Sequence, residues 1–276
     1  MHCNTLDDFR QQVYHSFERS RDALFNVCDA LVSEPQARSL PELSLSPFFQ
    51  RQWPSVYEAL QDGRINTERL GRVFVQALLT EQATEEPVWL GLDSSSMERL
   101  EADSSADRGM ISLPNLPHAT KPVSVGYQFS TLMLLPKEPS SWVGVLEQRR
   151  ISTDQTASEV GIAHLQAVVP HIRQRVIVLA DRWYATGRFV QACHQVHCAG
   201  LIRLKANRKL YRAAPPRKPG QRGAPAKHGP LFQAAAPRRT DRPMRSGKGP
   251  MSTASGWWSP VGKGCISVMR PPSRCR

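Results

Sequence analysis

Two short apolar runs constrain this chain more than anything else in it: VWLGL from Val88 and VIVLA from Val176, each followed at once by an aspartate, Asp93 and Asp181. Such uninterrupted apolar runs suit strands covered on both faces, as in parallel sheets. A strand of that kind meets solvent at its carboxyl end, where α/β sheets collect their ligand sites. A carboxylate there makes poor core filler, because an unpaired buried charge is strongly unfavourable. If the two strands are neighbours, the carboxylates can share a divalent cation although 88 positions separate them in sequence. Hard oxygen donors suit Mg²⁺ or Mn²⁺. The competing reading of each aspartate is a turn starter or a helix cap, roles that Asp fills well. Asp103 and Asp107 compete as the first acid, from a polar loop that holds them less firmly.

The hydrophobic period around these runs sets the organisation. Residues 1–86 read as helical. Leu6, Phe9, Val13 and Phe17 recur at helical spacing with Thr5 as a cap, and INTERLGRVFVQALL carries Leu70, Val73, Phe74, Ala77 and Leu78 on one face. EPQARSLPELSLSP between them is a Pro- and Ser-rich connection. From Val88 the period changes. After the first strand come a long polar loop (residues 101–121), a strand over residues 123–135 and another in SWVGVLEQRRI. Ser152 and Gln155 have capping-box spacing for a helix that Pro170 ends; then follow the VIVLA strand, a helix in RFVQACHQVH and a strand in GLIRLK. Strand, paired strands, helix, strand, helix, strand is a mixed α/β domain, assigned to residues 87–213. Residues 214–276 form a basic Pro- and Gly-rich tail. The last 76 residues hold eleven Pro and eight Gly with no apolar period, so no regular structure is expected beyond Tyr211.

Charge divides the chain in the same place. The last 76 residues carry eighteen Lys and Arg against one acid, Asp241, a net of +17, whereas the first 200 carry a net of −5. An acidic folded region followed by a basic one points to a polyanionic partner, most simply nucleic acid, with a solvated tail as the bland alternative. In RLKANRKLYR the candidate phosphate contacts are Arg203, Lys205, Arg208, Lys209 and Arg212, beside Tyr211. Such contacts position DNA without reading its bases; the alternative is a basic strand edge that blocks sheet extension.

GLDSS, DRGMISLPNLPHATKPVSVGYQFSTLMLLPKEPSSWVGVLEQRRI, VIVLADRWYATGRFV and LIRLKANRKLYR resemble the ordered blocks of bacterial insertion-sequence transposases with a DDE catalytic core, over roughly residues 40–233. The resemblance implies a ribonuclease-H-like mixed sheet with flanking helices. It implies Asp93 and Asp181 as the catalytic, metal-binding acids of the first and fourth core strands. The implied chemistry is Mg²⁺-dependent cleavage at a transposon end, then strand transfer of the freed 3′-hydroxyl into target DNA. The family's third acid, usually Glu on a later helix, has no counterpart: no Glu follows Glu159, and only Asp241 follows Asp181. Asp241 lies in APRRTDRPMRS, among prolines and four arginines, a poor setting for a ligand. Beyond Gln233 the residues read like an out-of-frame translation of GC-rich DNA, so a truncated or frameshifted, disordered end is expected.

Other signals weigh less. CHQVHC places Cys193 with His197, and His194 with Cys198, four apart, but a structural zinc wants a second pair from another segment. The expected reading is a helix with buried Cys and an exposed His. Trp183 and Tyr184 are expected to pack at the wall of the site, with base stacking as the alternative. Six scattered cysteines fit reduced thiols in a cytoplasm. MHCNTLDDF has no signal-peptide pattern, and no run approaches the ~18 apolar residues of a membrane span. The expectation is a cytoplasmic transposase-derived protein, nucleoid-associated when bound to DNA, that lacks catalytic competence. The alternatives are a non-catalytic DNA-binding protein that inhibits a full-length relative, and a stand-alone nuclease completed by Asp241.

Overall fold

A computed structural model describes residues 3–79, 85–113, 123–205, 207–217, 220, 222–233, 257–261 and 264–268. The chain divides into two compact units, Met1–Ala83 and Thr84–Arg276.

The first unit comprises α1 (Cys3–Tyr14), β1 (Phe17–Arg19), α2 (Arg21–Ser33), α3 (Leu40–Leu43), α4 (Pro54–Asp62), β2 (Arg64–Ile65) and α5 (Thr67–Leu79). It is mostly helical, with a small antiparallel β1–β2 ribbon. Helix α1 begins two residues before Thr5, the expected cap. Phe17 lies past the helix, in β1, where it is buried with Leu24 and Ala59. In α5, Phe74 meets Phe9 edge to face, and the Asn66 side chain caps the start by accepting from the Arg69 N–H.

The second unit contains β3 (Val88–Glu98), β4 (Gly109–Ser112), β5 (Val123–Leu134), β6 (Gly144–Ile151), α6 (Ala157–Val168), β7 (Val176–Ala180), α7 (Gly187–Gln195), β8 (Ala199–Arg203), β9 (Lys209–Tyr211), β10 (Leu231–Gln233), β11 (Trp257–Val261) and β12 (Gly264–Val268). Its main sheet runs β11-β12-β8-β7-β3-β5-β4, with β6 also on β5. The pairs β3–β7 and β7–β8 are parallel, whereas β3–β5 and β5–β6 are antiparallel. This is the mixed α/β arrangement expected of a ribonuclease-H-like core. Alternation explains the packing: Val88, Leu90, Leu92, Leu132, Leu134, Val176, Val178 and Ile202 are buried on one face of the sheet. Helix α6 packs on that face at β5 and β6, and α7 at β8. No helix among the described residues is long and apolar enough to cross a membrane.

Three local expectations need correction. The polar stretch 101–121 contains β4, paired with Val123–Gly126 of β5. Only Ile111 of its four residues is buried, so there was no period to read. Helix α6 starts later than expected: its capping box is Thr156 with Glu159, while the Ser152 hydroxyl merely donates to the Gln155 side chain, at 2.8 Å. The tail is not uniformly without regular structure. Strand β10 pairs with β9, and the β11–β12 hairpin adds to the edge of β8. These pairings rest on backbone ladders, which leave little trace in composition. Pro260 is tolerated because β11 is the last strand of the sheet. Residues 234–256, 262–263 and 269–276 lie outside the described residues, and Asp241 with them.

Candidate active site and nucleic-acid interface

The parallel pairing of β3 with β7 runs from Val88↔Val176 to Leu92↔Ala180. Asp93 and Asp181 are therefore the residues that directly follow its last pair, one on each chain segment. Asp93 does not end its strand, as the sequence suggested. Strand β3 continues to Glu98 because β5 pairs with it from Leu90 to Glu98; what stops at Leu92 is the pairing with β7. Neither aspartate plays the alternative structural part. Asp93 is exposed in mid-strand, opposite Thr131, and Asp181 precedes a 3-10 turn, Arg182–Tyr184, without a side-chain capping bond. Both acids thus present carboxylates that no local turn consumes.

The turn after Asp181 is anchored from within. The Tyr184 N–H donates to the Asp181 carbonyl at 3.0 Å, and its fully buried phenol lies 3.0 Å from the Ser130 hydroxyl of β5. Burial above all raises the Tyr184 phenol to about 12; the charges of Asp93 and Asp181 add to the rise, against hydrogen bonds to Ser130 and Ser94. Both carboxylates therefore lie within electrostatic reach of one hydroxyl. Gly161 of α6 makes room for this ring, since a Cβ there would stand 2.7 Å from it.

Ser130 links the turn to a second buried group. His164 of α6 is fully buried, with Nδ1 2.9 Å from Glu147 Oε2 and Nε2 3.0 Å from the Ser130 carbonyl oxygen. An acceptor faces each ring nitrogen, so the arrangement has room for two N–H donors. Burial pushes the Glu147 carboxyl up, but hydrogen bonds and charge from His164 and Arg149 outweigh it and hold the group below its ordinary value. Sequence reasoning missed this support altogether: a histidine in IAHLQAVV carries no signal beyond helical period.

The competing acids have other work. Asp103 pairs with Arg108 at 2.7 Å; Asp107 accepts from the Thr153 N–H and hydroxyl, at 2.7 and 2.8 Å, and pairs with Arg150. Cys193 and Cys198 are buried and His194 and His197 exposed, as expected for the CHQVHC segment. Among the described residues no group of three or more His, Cys, Asp or Glu side chains is placed to hold a metal ion.

Arg203 ends β8, Lys209 lies in β9, and Lys205, Arg208 and Arg212 flank them, all exposed. Lys205 connects this basic stretch to the aspartates, for its ammonium lies 5.0 Å from the centre of the Trp183 ring. The Arg182 guanidinium lies 5.8 Å from the same ring. Tyr184 packs, as expected, but Trp183 does not: it is 54% exposed. Strand β8 is also no free edge, since Leu201–Arg203 pair with β12.

In sequence, the family described as DDE superfamily endonuclease matches residues 12–257. The likeness therefore continues beyond Gln233, where the reading of the sequence ended it. No curated protein matches the chain. In structure, the chain is similar to one in a cryo-EM structure of a piggyBac transposase synaptic complex with hairpin DNA. That similarity has 11% identity and a TM-score of 0.36, and covers 93% of this chain and 51% of the other. This chain thus spans about half the length of that one.

Proposed function

Because the chain belongs to the DDE superfamily endonuclease family, we propose that it derives from a transposase and that, as it stands, it binds DNA without cutting it. The observation that supports the reading is that Asp93 and Asp181 each directly follow the last pair of the parallel β3–β7 ladder, Leu92↔Ala180. The donors there fit a hard cation. Mg²⁺ keeps several of its waters and is held by one or two carboxylates, so Asp93 and Asp181 would hold one ion, Mg²⁺ or Mn²⁺. When bound, such ions polarise a phosphodiester and lower the pKa of an attacking water or hydroxyl. The residues themselves contribute position: β3 fixes the height of Asp93, and Tyr184 fixes the turn that follows Asp181.

Completion of the site is what this chain lacks on our reading. Glu147 is committed to His164 and Glu159 to its capping box, and no Glu follows Glu159. Two carboxylates alone are poorly suited to hold both ions of a two-metal centre. Binding rests on Arg203, Lys205, Arg208, Lys209, Arg212 and the net +17 of the last 76 residues. A cytoplasmic chain of this kind would occupy transposon ends or target DNA on the nucleoid and so compete with a full-length relative.

The test is a nicking assay on supercoiled plasmid with Mg²⁺ and then Mn²⁺, beside binding measured against salt. The expected result is no cleavage, with affinity falling on the order of a thousandfold or more between about 50 and 200 mM salt if six or more phosphates are contacted. Cleavage that disappears in both Asp93→Ala and Asp181→Ala would refute the incompetence, and binding indifferent to salt would refute the interface.

A further inference from the structure

Trp183 is the one large aromatic in the turn after Asp181 that the fold leaves in solvent. The turn has no freedom to hide it. Tyr184 is pinned in the core through Ser130, and Ala185 N–H closes the turn on the Arg182 carbonyl at 3.3 Å. Its neighbour Trp183 is held outward, 54% exposed, two residues from Asp181. Two cations attend the ring: Lys205 Nζ at 5.0 Å and the Arg182 guanidinium at 5.8 Å from its centre. Lys205 comes from the segment after β8, so two separate pieces of chain converge on this indole.

We propose that Trp183 is a stacking platform for an unpaired nucleobase beside the two carboxylates, so that the DNA this chain prefers has a frayed or single-stranded end. The inference rests on the DNA-binding reading and adds a substrate form to it. Stacking on an aromatic is tolerant of sequence, because every base presents a π-face, and it works together with cations that track the backbone. Both parts are present. Cation–π contacts at exposed positions are weak, so an arriving base can take the place of Lys205 or Arg182 over the ring. Both side chains are long enough to turn to the phosphates on either side of that base. A fully paired duplex offers the ring only the last base pair, and therefore gains little from it.

The experiment compares binding of the full chain to three probes: a short blunt duplex, the same duplex with a short single-stranded extension, and that extension made abasic. The unaltered chain should favour the extended duplex over the other two. Trp183→Ala should weaken binding to the extended duplex by about 5- to 140-fold, the loss expected for one stacked base, with little change for the blunt duplex. Trp183→Phe, which keeps a smaller ring, should retain most of the preference. Equal loss on all three probes, or none, would overturn the platform while leaving DNA binding intact. Failure of the unaltered chain to bind any of the probes would overturn the DNA-binding reading and this inference together.

Discussion

Adding a single methyl group at Gly161 sets two known effects against each other where α6 meets Tyr184. Alanine in a helix interior is favoured over glycine by about 1 kcal/mol, so Gly161→Ala in isolation stabilises α6. The structure opposes this. A Cβ at residue 161 would lie 2.7 and 2.8 Å from Cε1 and Cδ1 of Tyr184 and 2.9 Å from Cδ2 of Leu92. Favourable carbon contacts lie near 3.5–4.0 Å, so something must move by most of an ångström. Tyr184 has little room to move, being fully buried, bonded to Ser130 at 3.0 Å and packed against Phe189 with ring centres 5.6 Å apart. Overpacking of this kind costs about 1–3 kcal/mol, which leaves a net destabilisation of roughly 1 kcal/mol after the helical gain. For a unit of nearly 200 residues that corresponds to a fall in Tm of about 2–4 °C. Thermal unfolding of the purified variant measures it. Tyr184→Leu in the same chain should remove the two closest contacts and leave only that with Leu92, so that Gly161→Ala costs less on that background than in the unaltered chain. A rise in Tm for Gly161→Ala alone would refute the close packing and the claim that the ring beneath Asp181 is pinned.

Three further outcomes follow from the same contacts. Glu147 is held below the ordinary glutamate value, so its contribution to stability is complete above about pH 4.3 and fades as pH falls through the depressed value; Glu147→Gln should flatten that acid limb in pH-resolved denaturation. His164→Leu should cost about 1–3 kcal/mol in urea titration, because it leaves the buried Ser130 carbonyl and one oxygen of the Glu147 carboxylate without a partner while Arg149 still pairs with the other. Thr156→Ala should cost about 1 kcal/mol and Ser152→Ala under about 0.5, since the capping box belongs to the former; equal losses would mean that the start of α6 is misplaced.

What was legible in the sequence and what was not differ in kind. The α/β order and the expected acids follow from uninterrupted apolar runs, a signal carried by neighbouring residues. The supports of the site are not of that kind. Tyr184, Ser130, His164 and Glu147 come from a turn, a strand, a helix and a second strand, and their hydrogen bonds span up to 54 positions. No local period records that a histidine reaches the carbonyl of Ser130 while the hydroxyl of that serine reaches Tyr184. Strand β4 and the β11–β12 hairpin escaped for a related reason, since their pairing depends on an open edge offered by β5 and β8. Trp183 was misjudged because it adjoins a buried residue. Its exposure is decided by which of two adjacent side chains the core admits, and the core took Tyr184.

The matching positions of Asp93 and Asp181 after the β3–β7 pairing have a simple origin in the lengths of the two runs. VWLGL and VIVLA have five residues each, and each is paired from its first residue to its last. A shift of one residue along β7 would reverse the faces of its buried Val176, Val178 and Ala180 and lift Leu90 and Leu92 from their partners. Core burial therefore selects the register, and the register then puts Asp93 and Asp181 directly after the same pair, Leu92↔Ala180. The arrangement also explains why β3 outlasts β7. Beyond Asp93 the sequence is SSSME, polar enough to stand without a parallel neighbour yet still paired to β5 on its other side. On the DNA-binding reading proposed above, a phosphate backbone reaching the two aspartates would approach where the β7 pairing stops and β3 runs on. Access and register thus share one cause, the unequal lengths of two adjacent strands whose apolar cores are equal.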